Sequence, residues 1–166
     1  MSFIFQVVSF IVVLILQLVV VGNIPLLHGT ADLLLLWVAA WALISKGRSA
    51  WVYAGAAAIA VVYISAIHPI VPIITYFFVV VFARYLQKRI WQSPLMALFI
   101  ISFVGSLLQS GLSFITLSMA GVALDFSTSL VQVIIPALFI NLLLALPVYA
   151  ICKDMHQWLY PYEVEI

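Results

Sequence analysis

The chain offers few side chains that could carry out acid–base, nucleophilic or metal chemistry. Its 166 residues include only 5 Asp and Glu, 3 His and 1 Cys. No HExxH, GxSxG or paired intramembrane aspartates occur, although these patterns mark metalloproteases and hydrolases. The single cysteine, Cys152, rules out an internal disulfide and a cysteine metal cage. The sequence therefore predicts a protein that is not an enzyme and has no catalytic residue, cofactor or metal.

Imidazole and carboxylate groups in the predicted loops could in principle bind zinc. His28, Asp32, His68 and Asp125 would share one face of the molecule, but their spacing follows no known metal pattern. They are better interpreted as unrelated loop residues. Asp32 stands directly before an apolar run, where its carboxylate can accept hydrogen bonds from the first N–H groups of a helix. We predict that Asp32 is a helix cap.

The overall composition is that of a chain whose main solvent is lipid. Hydrophobic residues make up 67% and charged residues 7%, with a mean hydropathy of +1.34, whereas soluble domains carry roughly a quarter charged residues. A net charge of +1 gives no basic field for nucleic acid. The sequence predicts an all-α, polytopic membrane helical bundle of about six helices in a single domain. The predicted spans are residues 3–21, 31–45, 51–67, 70–83, 95–120 and 130–151, followed by a short amphipathic tail at 152–166.

Several spans have recognisable boundaries. The first lacks a basic amino-terminal region and a cleavage site, so we expect a retained helix, not a signal peptide. Ser93 and Pro94 predict the start of the fifth helix, with a capping side chain followed by proline at the first helical position. Pro69 and Pro72 interrupt the apolar run between the third and fourth spans, which leaves a re-entrant or broken helix there as an alternative.

Basic residues predict the orientation, because cytoplasmic loops retain Lys and Arg during insertion. With about six spans, every Lys and Arg lies on the same side, and His28, Asp32, His68 and Asp125 lie on the other. We therefore expect both termini in the cytoplasm. The same residues could also contact anionic lipid or a cytoplasmic partner. The basic set is Lys46, Arg48, Arg84, Lys88, Arg89 and Lys153.

Neutral polar and small residues inside the spans are candidates for helix packing or partner binding. Gln17, Gln109 and Asn141 fall at similar depths, which predicts a buried hydrogen-bond cluster, with a small-ligand pocket as the alternative. Serines recur along one face of the fifth helix and predict a close packing seam. A strip of alanines on the third span predicts internal packing or lateral contact with a partner helix. These serines and alanines are Ser102, Ser106, Ser110 and Ser113, with Ala50, Ala54 and Ala58.

Three stretches resemble the MreD family, a small multi-span component of the bacterial rod-shape machinery. Residues 30–47 contain Asp32-Leu-Leu-Leu-Leu-Trp37 and end in a glycine turn, and residues 84–95 combine the basic cluster with Ser93-Pro-Leu. Residues 135–147 contain Pro136 and, five residues later, Asn141. The sequence departs from the family at Ala31, where proline is common, and in the third helix, which lacks the family's glycine repeats.

The resemblance implies a non-enzymatic scaffold in the bacterial cytoplasmic membrane. Such a scaffold binds the bitopic protein MreC and helps couple MreB filaments to peptidoglycan synthases. Its fold is expected to be similar to that of the substrate-binding components of energy-coupling-factor vitamin transporters. A component of such a transporter is the main alternative, and a small accessory subunit of another membrane complex is a further one. The sequence leaves a homo-oligomer open.

Overall fold

A computed structural model describes residues 2–19, 31–45, 47–65, 67–89, 93–122 and 125–159, with the side chains of Ser2 and Phe3 excepted. Over these residues the protein is all-helical, as predicted. Three of the helical stretches, Ile70–Arg89, Pro94–Met119 and Phe126–Leu159, are long and apolar enough to cross a membrane. The helices are α1 (Ser2–Val19), α2 (Leu33–Ile44), α3 (Ser49–Ile64), α4 (Ile70–Arg89), α5 (Pro94–Met119), α6 (Phe126–Ser129) and α7 (Ile135–Leu159), with a π-helical turn at Leu130–Ile134 between α6 and α7.

Helix α2 forms the centre of the bundle. Every residue from Leu34 to Leu43 is buried, and α1, α3, α4, α5 and α7 all pack against it. A helix that is apolar on all sides is expected to be enclosed in this way. Its 12 residues extend only about 18 Å, compared with a hydrocarbon thickness of about 30 Å. The polar groups at the ends of α2 must therefore be satisfied by neighbouring helices.

Helix α4 is longer and more regular than predicted. It runs unbroken for 20 residues and carries Lys88 and Arg89 in its last turn, although the sequence predicted an end at residue 83. Pro72 is in its first turn, where the missing N–H would have had no helical partner. The interruption of helical structure therefore lies between α3 and α4, and neither of these two helices is broken by Pro69 or Pro72.

The last helix is also longer than predicted. The sequence placed its end at residue 151, with a tail beyond it, but the helix continues to Leu159 and passes through Pro147. The remaining tail residues, 160–166, lie outside the described residues. Near its start, Pro136 cannot donate a hydrogen bond to the preceding turn. The chain widens there into the π-helical turn, in which the N–H of Ile135 donates to the Leu130 carbonyl.

Small residues set the closest helix contacts. A Cβ atom at Gly105 would lie 3.0 Å from Val79 Cγ2 and 3.4 Å from Leu35 Cδ2, so α5 packs tightly against α4 and α2. Ala54 and Ala58 are buried inside the bundle. They serve internal helix packing, and the alternative that a partner helix contacts them directly is not compatible with this burial.

Candidate functional site

Asp32 caps helix α2, as predicted. Its Oδ1 accepts a hydrogen bond from the Leu35 N–H at 2.8 Å, which satisfies one of the unpaired donors of the first helical turn. The interpretation of Asp32 as an unrelated loop residue is wrong, because the residue is only 9% exposed. Helix α2 is too short to reach the surface, so its cap lies inside the bundle.

Neutral donors from two other helices also bond to the Asp32 carboxylate. The Tyr76 hydroxyl on α4 lies 2.9 Å from Oδ1 and 3.1 Å from Oδ2, and Gln109 Nε2 on α5 donates to Oδ2 at 2.8 Å. Tyr76 is itself fully buried. Within the described part of the chain, no Lys, Arg or His side chain bonds to this carboxylate. Asp32 is therefore a buried acid whose described partners are all uncharged.

The backbone on either side of Asp32 is bonded by amide side chains. Asn141 Oδ1 on α7 accepts from the Asp32 N–H at 2.8 Å, and Asn141 Nδ2 donates to Ser106 Oγ at 2.8 Å. Gln17 on α1 accepts from the Leu33 N–H at 2.7 Å and donates to the Ala31 carbonyl at 3.0 Å. The predicted hydrogen-bond cluster of Gln17, Gln109 and Asn141 is confirmed. We call the set Gln17, Asp32, Tyr76, Ser106, Gln109 and Asn141 the Asp32 cluster.

Neither Tyr76 nor the central position of Asp32 was predicted from the sequence. Asp32 was expected in a loop, yet Gln109 lies about 15 Å along α5 from its carboxyl end. Since Gln109 bonds to Asp32, that carboxylate lies at a similar depth. The available signal was the length of the apolar run after Asp32, which is too short to cross a bilayer.

A cavity of about 410 Å³ adjoins the Asp32 cluster. Its lining combines polar side chains with apolar side chains from α3, α5 and the π-helical turn. The predicted serine seam is divided between two surroundings: Ser102 and Ser106 are buried in the helix contact, whereas Ser110 and Ser113 line the cavity. The polar lining includes Gln17, Asp32, Ser106, Gln109 and Asn141, and the apolar lining includes Val61, Ile64, Phe114, Leu117 and Val133.

The cavity and the basic residues occupy opposite ends of the bundle. The cavity is lined by the carboxyl-terminal parts of α3 and α5, whereas Arg48 precedes α3 and Lys88 and Arg89 end α4. Arg84 donates to the Gly47 carbonyl at 2.6 Å, which joins the end of α4 to the turn before α3. Lys46 and His28 lie outside the described residues.

The structure describes three of the four loop residues considered for zinc, Asp32, His68 and Asp125. In the ranges that the structure describes, no three His, Cys, Asp or Glu side chains are grouped so as to hold a metal. Asp125 caps α6 by accepting from the Thr128 N–H at 2.9 Å and from its hydroxyl at 2.6 Å. These hydrogen bonds, led by that of the hydroxyl, lower the pKa of Asp125 below its ordinary value of 3.8. Ser93, in contrast, precedes α5 without forming the predicted side-chain cap.

Comparison with protein-family models, with curated proteins and with solved structures finds no match to this chain.

Proposed function

We propose that this protein is a non-enzymatic membrane scaffold of the bacterial cell-elongation machinery, as its resemblance to MreD implies. In this role it crosses the cytoplasmic membrane about six times, with both termini in the cytoplasm. It binds an MreC-like bitopic protein and helps couple MreB filaments to peptidoglycan synthases. The observation that carries the proposal is that polar side chains of the second and third stretches resembling MreD bond to the backbone of the first.

These contacts connect residues that are far apart in sequence. Asp32 of the first stretch bonds to Asn141 of the third at 2.8 Å. In the second stretch, Gln87 donates to the Leu43 carbonyl at 2.8 Å, and Arg84 bonds to Gly47. Resemblance between apolar sequences that arises from composition alone would not select polar side chains that bond to the backbone of another such stretch. The pairing supports a shared architecture.

Lateral binding of MreC would use the outward face of α3. Val52, Ile59 and Tyr63 are 65%, 61% and 87% exposed, and a Cβ atom at Gly55 would meet no atom within 4 Å. Small residues allow two helices to approach closely in lipid, where no hydrophobic drive brings them together. This face therefore replaces Ala54 and Ala58 as the proposed partner contact.

The test is affinity purification from gently solubilised membranes, with identification of the proteins recovered. We expect recovery of MreC with the wild-type chain and weaker recovery with Gly55→Leu, whose side chain would separate the helices. Gly111→Leu on α5 is the matched control, since a Cβ there also meets nothing within 4 Å. Absence of MreC from the wild-type sample would contradict the scaffold function. If Gly55→Leu and Gly111→Leu recover MreC equally well, the outward face of α3 is not the contact with MreC.

The second candidate function is a substrate-binding component of an energy-coupling-factor vitamin transporter. The cavity beside the Asp32 cluster favours it, because ligand sites are concave, largely apolar and carry a few convergent polar groups. The same purification distinguishes the two candidates. Recovery of ATPase subunits in place of MreC would support the transporter component.

A further inference from the structure

We propose that the cavity beside Asp32 binds a small organic cation, with a primary ammonium group beside the Asp32 carboxylate and an apolar body against the apolar residues of the lining. This inference goes beyond the scaffold function and names a ligand class for the second candidate. It depends on three properties of the cavity: the charge of Asp32, an unused acceptor on Gln109 and the apolar residues of the lining.

The first property is a carboxylate with no described counter-charge. Asp32 is 9% exposed, and the described hydrogen bonds to its carboxylate come from Leu35, Tyr76 and Gln109, all of them neutral donors. Neutral hydrogen bonds offset only part of the free energy needed to bury a charged group. The described residues lining the cavity include no Lys, Arg or His. A cationic ligand would therefore supply the missing charge.

The second property is an acceptor without a donor. Gln109 gives its Nε2 group to Asp32, which leaves Oε1 to accept from another group. That oxygen is buried and has no hydrogen-bond partner among the described residues, although buried polar atoms are nearly always paired. Gln109 lines the cavity. A ligand that carries N–H donors would satisfy this oxygen once the Gln109 amide turns toward the cavity, whereas a carboxylate ligand would be repelled by Asp32.

The third property is the apolar part of the cavity lining. Val61, Phe114, Leu117 and Val133 contribute to it, so the ligand body should be hydrocarbon. The volume of about 410 Å³ is within the range of ligand sites, roughly 300–1,000 Å³. Because the described Lys and Arg residues lie toward the other end of the bundle, they do not oppose the approach of a cation.

The experiment uses the full chain in detergent and follows the midpoint of thermal unfolding by tryptophan fluorescence. The probes are n-butylamine and phenethylamine, each as the hydrochloride, with 2-phenylethanol as a neutral analogue and phenylacetate as an anionic one. We expect at least one amine to raise the midpoint saturably. The neutral and anionic compounds should bind at least tenfold more weakly or not at all.

Two variants locate the binding. Asp32→Asn removes the charge and keeps an oxygen that can accept from Leu35, and it should weaken amine binding at least tenfold. Ser113→Phe fills the cavity without changing the Asp32 cluster, so it tests the site even if Asp32→Asn does not fold. Its matched control is Ser118→Phe, at an exposed position on the same helix that should bind amines as the wild type does.

Three results would overturn the inference. They are the absence of saturable stabilisation by either amine, equal stabilisation by 2-phenylethanol, and unchanged amine binding in Ser113→Phe. None of these measurements depends on MreC or on ATPase subunits. Failure of amine binding therefore remains distinguishable from failure of either proposed function.

Discussion

Asp32 and Asp125 perform the same local task in opposite surroundings. Each accepts a hydrogen bond from the N–H three residues later and caps a helix, but Asp32 is buried and Asp125 is exposed. The carboxylate of Asp32 also satisfies Tyr76 and Gln109 inside the bundle. Its removal leaves buried donors unpaired, whereas water can replace the carboxylate of Asp125.

We therefore predict unequal effects of removing the two carboxylates. Asp32→Ala should lower the free energy of unfolding by about 2–5 kcal/mol, since each buried donor left unpaired costs about 1–3 kcal/mol. Asp125→Ala should have a clearly smaller effect. Thermal unfolding in detergent measures both. Equal losses would contradict the assigned burial of Asp32.

The hydrogen bonds to Asp125 also predict a pH dependence. Because they lower its pKa below 3.8, the cap contributes its full stability above pH 3.8 and loses it as the pH falls through the lower folded value. Carboxyl ¹³C chemical shifts should show this depressed titration. Thr128→Val removes the hydroxyl donor, so the pKa should move back toward 3.8, and an unchanged titration would exclude the hydroxyl as the main cause.

At the scale of helices, α5 contains two glycines with different tolerances. A side chain at Gly105 would meet Val79 and Leu35, whereas one at Gly111 would meet nothing within 4 Å. We predict that Gly105→Leu destabilises the bundle by about 1–3 kcal/mol through overpacking. Gly111→Leu should leave the unfolding midpoint nearly unchanged. Similar losses in the two variants would show that α5 does not contact α4 and α2 this closely.

Sequence patterns predicted some parts of the bundle and not others for identifiable reasons. Pro94 marked the start of α5 because its fixed φ and missing N–H suit a first helical position. Serines spaced four residues apart indicated one face of α5. That spacing could not show that part of the face meets helices and part meets a cavity. Tyr76 resembled any aromatic residue in an apolar span, and its bond to Asp32 depends on tertiary packing.

At the scale of the whole molecule, the position of the basic residues predicts the orientation in the membrane. In a Cys152→Ser background, cysteines introduced at His68 and Ser127 should react with an impermeant reagent outside the cell. Cysteines introduced at Gly47 and Asp154 should not react. All four positions are exposed, so differences in labelling report on sidedness. Labelling at position 47 from outside would contradict both the orientation and the predicted number of spans.

The shortness of α2 has a consequence for how the protein responds to membrane thickness. A helix that spans lipid must tilt or deform the bilayer when its apolar length does not match. Helix α2 is enclosed by other helices and is shorter than any usual hydrocarbon layer, so its length sets no matching condition. Moving the protein from short-chain to long-chain lipids should change the tilt of α5 and leave hydrogen exchange at Leu35 unchanged. Faster exchange at Leu35 in either lipid would show that mismatch reaches the core.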